Sequence, residues 1–190
     1  MAKPNIIYLM ADDLGLGDVT VYDKSSTIPT PNMEKLARQG TTFTDAHSPA
    51  AVCSPTRYAV LSGRYPFRSR DYQCVLRSAY DEPLLVDGQE SIAQLLKRGG
   101  YRTAAFGKWH VGMNFVNKTG DGIARAGVNT SRFSTEDVDF TKPLTDGPTT
   151  HGFDHFFGIG GSINHGPYSF IEDALLTVLP EYIRFEFRPS

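Results

Sequence analysis

The first residues of the chain form an apolar pattern that is compatible with few folds. Residues 5–10 (Asn-Ile-Ile-Tyr-Leu-Met) form a nearly continuous apolar run, which predicts a strand buried on both faces of a parallel sheet. The run leads into Asp12 and Asp13, at the strand end where open α/β sheets place their ligands. Asp is also common in turns, so the pair has an ordinary structural explanation as well.

Helix and strand signals alternate along the next part of the chain. Residues 31–39 follow Thr30, begin with Pro31 and end before Gly40, which predicts a capped helix, and residues 91–99 carry similar signals. Residues 41–46 and 100–106 have the composition of further strands. This alternation predicts an α/β fold with a mostly parallel sheet flanked by helices.

The length and composition of the chain predict one domain. It has 190 residues, of which 40% are hydrophobic, enough to bury a core. Residues 114–150 are rich in Gly, Asp, Thr and Asn, which predicts a long surface loop within this domain. Residues 174–190 match no recognisable pattern and form an unassigned tail.

Residues 51–64 (Ala-Val-Cys-Ser-Pro-Thr-Arg-Tyr-Ala-Val-Leu-Ser-Gly-Arg) predict a short helix with a reactive residue at its start. Ser54 is suited to the N-cap, Pro55 to the first helical position and Gly63 to the helix end. Cys53 would then lie where unpaired backbone N–H groups favour anions and thiolates. Arg57, one turn further on, adds a cation, and together these groups suit an oxyanion-bearing substrate.

Several of these motifs resemble the sulfatases of the alkaline-phosphatase superfamily. Cys-x-Pro-x-Arg from Cys53 to Arg57, followed by Leu-x-Gly-Arg, is similar to the family signature, with Ser62 where Thr is more usual. Gly-Tyr-x-Thr-x-x-x-Gly-Lys-Trp-His at residues 100–110 resembles a second signature, with an unusually bulky Phe106. Residues 152–158 resemble the family's Gly-Phe-Asp-x-Phe-Phe-Gly segment, which is mostly structural.

The resemblance implies a sulfuric ester hydrolase. A formylglycine-generating or sulfatase-maturing enzyme would oxidise Cys53 to formylglycine, whose hydrated aldehyde attacks a small-molecule or carbohydrate sulfate ester. Arg57 would steady the modified residue, Lys108 and His110 would contact the sulfate, and His110 would act as the base. In an extended backbone Lys108 and His110 project to the same side, because they are two residues apart.

The resemblance also implies a calcium ion, held by Asp12, Asp13 and the modified Cys53. Hard oxygen donors are what calcium requires, but it takes six to eight of them, so other ligands would be needed. In full-length sulfatases those ligands, the histidine that assists the leaving group and a C-terminal subdomain lie further downstream. We therefore expect an alkaline-phosphatase-like fold truncated at its C-terminus, with residues 1–190 as the N-terminal part of a catalytic domain.

The charge and composition of the chain restrict the classes of partner that we expect it to bind. A net charge of −2 argues against nucleic acid, and no apolar run is long enough to span a membrane. The N-terminus shows no signal-peptide layout, so the compartment stays open. Cys74 is expected to be an ordinary thiol. His155 and His165 are expected to be structural, because a lone histidine usually is.

Other functions remain open at this stage. The first is a phosphate or phosphonate ester hydrolase of the same superfamily, since related phosphonate hydrolases share Cys-x-Pro-x-Arg. The second is a non-catalytic truncated remnant, which the missing downstream motifs favour. A hydrolase with Cys53 itself as the nucleophile is weaker, because no nearby histidine is a compelling base.

Overall fold

The computed structural model describes residues 3–70, 75–124 and 137–180. The chain divides into two compact units, Met1–His47 and Ser48–Ser190. Cys74, expected above to be an ordinary thiol, lies outside the described residues. Among the residues described, no helix is both long enough and apolar enough to cross a membrane.

In the described part of the first unit, residues 3–47, the chain forms helix α1 (Pro31–Gln39) and a short 3-10 turn at Leu16–Asp18. Helix α1 has Thr30 as its N-cap, Pro31 in its first turn and Gly40 as its C-cap, which confirms the predicted limits. The backbone N–H of Thr20 donates to the Thr30 hydroxyl at 3.0 Å. Thr30 therefore uses its side chain to hold a neighbouring loop rather than to cap the helix.

The predicted strands at residues 5–10 and 41–46 are absent: residues 3–47, the described part of this unit, contain no strand. Ile7 and Leu9 expose 83% and 82% of their surface. An apolar run shows that a segment gains free energy from burial, but a strand also needs neighbours that satisfy its backbone N–H and C=O groups. Such pairing depends on residues far away in sequence, which the run itself does not specify.

The second unit is built on a mixed sheet of four strands. Strand β1 (Ala104–Lys108) pairs in parallel with β4 (His155–Ile159), with Ala104 opposite His155 and Lys108 opposite Ile159. Strands β5 (Ile171–Glu172) and β6 (Leu175–Leu176) extend the sheet with antiparallel pairings, giving the order β1-β4-β5-β6. Mixed sheets of this kind are common in α/β proteins, in which antiparallel strands occupy an edge.

The described residues of the second unit form the α-helices α2 (Cys53–Ser62) and α3 (Ile92–Arg98). Ser91 caps α3 as predicted: its hydroxyl accepts the Gln94 N–H at 3.1 Å, and the Gln94 side chain accepts the Ser91 N–H at 2.8 Å. One core cluster joins helix and sheet, since it contains Tyr58 of α2, Phe156 of β4 and Ile171 of β5. These contacts hold α2 against the sheet that carries Lys108.

The segment predicted to be a long surface loop, residues 114–150, also contributes to this core. It contains β2 (Phe115–Val116) and β3 (Ile123–Ala124), which pair with each other in antiparallel fashion. Phe115, Val138 and Leu144 are buried in the core cluster. Gly and polar residues between them hid this contribution, because apolar residues that are widely spaced produce no periodic pattern.

Candidate active site

Helix α2 begins at Cys53, with Val52 as the N-cap, so the prediction of Ser54 as N-cap was wrong. Ser54 is fully buried, and its hydroxyl accepts the backbone N–H of Leu76 at 3.2 Å. This contact across the unit outweighs the local preference of serine for a cap. Gly63 ends the helix with a φ of 65°, as predicted. Cys53 itself is half-buried at the first position of the helix.

Arg57 connects α2 to the end of β1. Its Nη1 donates a hydrogen bond to the carbonyl oxygen of Lys108, the last residue of that strand. The guanidinium is partly buried. Arg57, which the resemblance assigns to the modified residue, thus also contacts the end of the strand that carries Lys108.

His110 follows the strand in an unexpected conformation. Its φ is 53°, in the left-handed region, and its side chain is fully buried, whereas Lys108 is half-buried. The extended backbone on which the expectation about these two side chains rested therefore ends at Lys108 and does not include His110. A non-glycine residue held in this region costs free energy and is often found at functional sites.

The hydrogen bonds of the His110 ring determine which nitrogen carries its proton. Nε2 lies 2.8 Å from the carbonyl oxygen of Leu76, and a carbonyl only accepts, so Nε2 bears the hydrogen. Nδ1 is buried and has no hydrogen-bond partner among the described residues. In the neutral ring Nδ1 therefore has a lone pair available to accept a proton.

The peptide groups of Leu76 join the two motif segments. Its N–H donates to Ser54, the neighbour of Cys53, and its C=O accepts from His110. Together with the Arg57 contact to Lys108, these bonds bring Arg57, Lys108 and His110 into one region of the second unit. Leu76 lies in an irregular segment with no motif, so no local signal could have identified this role.

Burial controls the protonation of His110. It lowers the pKa of the ring to about 4, opposed by the hydrogen bond to Leu76 and reinforced by Lys108, His165 and Arg57. A cation there would have to leave water in the presence of other positive charges. The ring is consequently neutral at neutral pH, which is the form that a base requires.

His165 lies beside this group, although sequence analysis expected it to be structural. Its ring centroid is 5.5 Å from that of His110. Burial lowers the pKa of His165, the Asp81 carboxylate opposes this shift, and Lys108 adds to it. Asp81 is held in place because one of its oxygens accepts the backbone N–H groups of Arg77 and Ser78 at 2.6 and 3.0 Å.

The carboxylates Asp12 and Asp13 belong to the first unit, where both are exposed. Their oxygens suit calcium in chemical type, but two carboxylates supply too few donors. The described residues contain no group of three His, Cys, Asp or Glu side chains that could hold a metal ion. Among the described residues, the chemical type of the oxygen donors supports the expected calcium site, but the number of donors does not.

Comparison with known proteins bears directly on this group of residues. The family model described as Sulfatase matches residues 4–169. The chain belongs to the sulfatase family. The match contains the Cys53 motif, the Lys108 and His110 motif, and the segment of β4, so it confirms the resemblance seen in the sequence.

Among curated sulfatases, an N-acetylgalactosamine-6-O-sulfatase of Bacteroides thetaiotaomicron is 32% identical over 171 residues, which are 90% of this chain and 29% of that protein. Human steryl-sulfatase is 37% identical over 163 residues, covering 83% of this chain and 24% of the relative. The sulfatase chain thus spans less than a third of the length of these relatives.

A solved structure from work on glycosaminoglycan metabolism by B. thetaiotaomicron is similar over 92% of this sulfatase chain and 32% of its own, with a TM-score of 0.71 and 32% identity. A sulfatase from Pseudoalteromonas sp. has a TM-score of 0.53 at 30% identity, covering 80% of this chain and 25% of its own. The predicted α/β, alkaline-phosphatase-like fold is confirmed by these likenesses.

Proposed function

We propose that the chain supplies part of the active site of a sulfuric ester hydrolase, with position 53 as the site of the nucleophile. The observation that supports this most strongly is a set of hydrogen bonds that connects the two motif segments. The backbone of Leu76 bonds to both Ser54 and His110. The Arg57 side chain bonds to the carbonyl oxygen of Lys108. These links bring the helix that begins at Cys53 together with the two cationic or basic groups assigned to the sulfate.

Cys53 is suited to modification, because it is half-buried at the start of α2 and the structure records it as a free cysteine. Conversion to formylglycine would supply a hydrated aldehyde, whose hydroxyl is the nucleophile toward sulfur. The side chains around it have separate roles. Arg57 and Lys108 offset the charge of the sulfate oxygens, and the partly buried setting of Arg57 strengthens that interaction.

His110 is the proposed base. With Nε2 committed to Leu76, the lone pair of Nδ1 can accept a proton from a hydroxyl at the reacting centre. Burial keeps the ring neutral at neutral pH, since it lowers the pKa of His110 to about 4. A pKa of about 4 makes His110 a weak base that is free of a proton at neutral pH and that releases a proton readily after accepting one.

Calcium belongs to the same proposal through Asp12, Asp13 and the modified Cys53, the ligands that the family resemblance implies. When bound, the ion would neutralise negative charge on the sulfate and on the nucleophile. The described residues offer no group of three His, Cys, Asp or Glu side chains that could complete its coordination. The substrate class proposed is a carbohydrate or aryl sulfate ester.

The decisive experiment is mass spectrometry of the Cys53 peptide after expression with a formylglycine-generating enzyme. Conversion of the thiol to the aldehyde supports the assignment, and a Cys53→Ala variant is the unreactive control. Persistent thiol, under conditions in which a known sulfatase is converted, contradicts it.

Turnover then separates the remaining alternatives. Hydrolysis of an aryl sulfate in preference to the matching phosphodiester supports the sulfatase, and the reverse preference supports the phosphate or phosphonate ester hydrolase. Full conversion of Cys53 without turnover of either ester supports the non-catalytic reading. In that case this chain carries the modification site but lacks groups needed for the reaction.

A further inference from the structure

The loop between β4 and β5, residues 160–170, carries a histidine that the proposed function does not use. His165 is half-buried, and its ring centroid lies 5.5 Å from that of His110, with the two rings tilted by 50°. The charge of Lys108 acts on both rings. His165 therefore belongs to the same electrostatic group as the proposed base.

Backbone contacts fix the position of this loop. The N–H of His165 donates to the carbonyl oxygen of Ser162 at 3.0 Å, which closes a turn. At the start of the loop, the carbonyl oxygen of Gly160 accepts the N–H of His110 at 3.1 Å. A Cβ added at Gly161 would lie 2.9 Å from the carbonyl oxygen of His165, so the loop also packs closely on its own first residues. The short distance between the two rings thus follows from how the backbone is held.

Residues 76–81 contact both ends of this arrangement. The carbonyl oxygen of Leu76 accepts from Nε2 of His110 at 2.8 Å. The N–H of Ala79 donates to the carbonyl oxygen of the residue after His165 at 3.5 Å. One backbone segment therefore supports the ring of the first histidine and the loop of the second.

The same segment supplies a negative charge through Asp81. Its Oδ2 accepts the backbone N–H groups of Arg77 and Ser78 at 2.6 and 3.0 Å, so the carboxylate is held in one place. The charge of Asp81 acts on His165 and favours its protonated form.

The two rings differ in how readily they take up a proton. Burial lowers the pKa of His110 to about 4. Lys108, His165 and Arg57 add to this effect through their positive charge. Burial also lowers the pKa of His165, but that ring is only half-buried and the Asp81 carboxylate opposes the shift. As the pH falls, the first proton therefore goes to His165, and the resulting cation repels a second proton on His110.

We propose that His165 is a positioning residue, which takes up a proton from solvent before His110 does and, as a cation, keeps the proposed base free of one. The inference rests on the proposed role of His110. Its consequence is that His110 stays neutral in mildly acidic solution, with Nδ1 able to accept a proton from a hydroxyl at the reacting centre. Asp81 contributes by stabilising the cation on His165.

The test is an NMR pH titration of the full chain with unmodified Cys53, following the ring signals of each histidine. We expect His165 to be protonated at a higher pH than His110. In His165→Gln the proton affinity of His110 should rise about threefold, because a neutral amide does not repel the proton. Protonation of His110 before His165, or an unchanged proton affinity of His110 in this variant, would overturn the proposal.

Two further variants separate the charge of His165 from its packing. His165→Lys keeps a positive charge without the ring, so the proton affinity of His110 should stay within about twofold of that in the unaltered chain. Asp81→Asn keeps an oxygen that can accept the same two backbone N–H groups but removes the charge, so the proton affinity of His165 should fall about threefold. Equal increases at His110 in His165→Gln and His165→Lys would assign the effect to packing and contradict the proposal.

His155→Gln is the matched control, because His155 lies on β4 and bonds to Asp173 at 2.8 Å. It should leave the proton affinities of His110 and His165 unchanged, and an increase at His110 equal to that in His165→Gln would contradict a specific role of His165. The titration uses neither formylglycine nor an ester. Its failure would leave the sulfatase proposal intact, and failure to convert Cys53 would leave the order of protonation intact.

Discussion

The two units of the chain differ in how completely they bury their side chains. Of the described residues 3–47, only Val19 is buried, and the apolar run near the N-terminus is largely exposed. In the second unit Tyr58, Phe115 and Phe156 each expose 1% of their surface within one core cluster. The difference shows that apolar sequence alone does not make a core, since burial requires partners that the pattern does not name.

The substitution with the largest expected effect on stability tests the parallel pairing of β1 with β4 in the second unit. A Cβ added at Gly158 would overlap the carbonyl oxygen of Gly107, its partner in β1. Gly158→Ala should therefore lower the free energy of unfolding by more than about 4 kcal/mol. Denaturant titration followed by the fluorescence of Trp109, the single tryptophan, reports this loss.

A matched glycine provides the control for that experiment. Gly63→Ala meets nothing within 4 Å but retains a φ of 65°, so the cost is backbone strain of about 1–2 kcal/mol. If the two variants are equally stable, steric overlap between β1 and β4 does not control the stability of this unit.

The next prediction compares the loss of stability from one substitution in each unit. Phe156→Ala removes a side chain that is 99% buried in the core cluster, and should cost about 3–5 kcal/mol. Leu9→Ala removes a side chain that is 82% exposed, and should change stability by less than about 0.5 kcal/mol. A large loss in Leu9→Ala would contradict the difference between the units.

Local and distant interactions explain which predictions succeeded. Helices α1 and α3 were predicted because residues at their ends, such as Pro31, Gly40 and Ser91, are local signals for where a helix begins or ends. The Cys53 and Lys108 motifs identified the family because their spacing is itself the signal. The strands expected in the first unit failed for the opposite reason: pairing is decided by residues far away in sequence.

The candidate site shows the same division. Sequence spacing selected Arg57, Lys108 and His110, which the structure brings into one region. It could not select Leu76, whose backbone makes the contacts, because any residue has the same N–H and C=O groups. It also could not anticipate the left-handed backbone of His110, which appears only where β1 stops.

A third test uses pH, since buried titratable groups distinguish the second unit. The folded pKa of His110, about 4, is below its ordinary value of 6.5, so the unfolded chain takes up the proton first as pH falls. The contribution of His110 to the free energy of unfolding is fully present above the pKa of the unfolded state and is lost as the pH falls from about 6.5 to 4. The loss should reach at most about 3 kcal/mol.

The control for the pH experiment is His110→Gln, whose amide can still donate to Leu76 but does not titrate. Denaturant titrations at pH 7.5 and 5 should show a smaller difference in this variant than in the unaltered chain. Comparing the two proteins removes the contribution of His165, whose pKa burial also lowers. Identical pH dependence in both would mean that His110 is not the group responsible.

The smallest expected effect concerns the serine that joins α2 to Leu76. Ser54→Ala leaves the buried Leu76 N–H without its acceptor, which should cost about 1–2 kcal/mol and speed exchange of that amide hydrogen. Ser62→Ala, at the other end of the same helix, removes an acceptor from the exposed Arg64 N–H and should cost less than about 0.5 kcal/mol. Faster exchange at Leu76 in Ser54→Ala alone would show that this bond, rather than α2 as a whole, positions the peptide that holds His110. Equal effects of both serines would assign that role to the helix instead, and His110 would then depend on α2 only through packing.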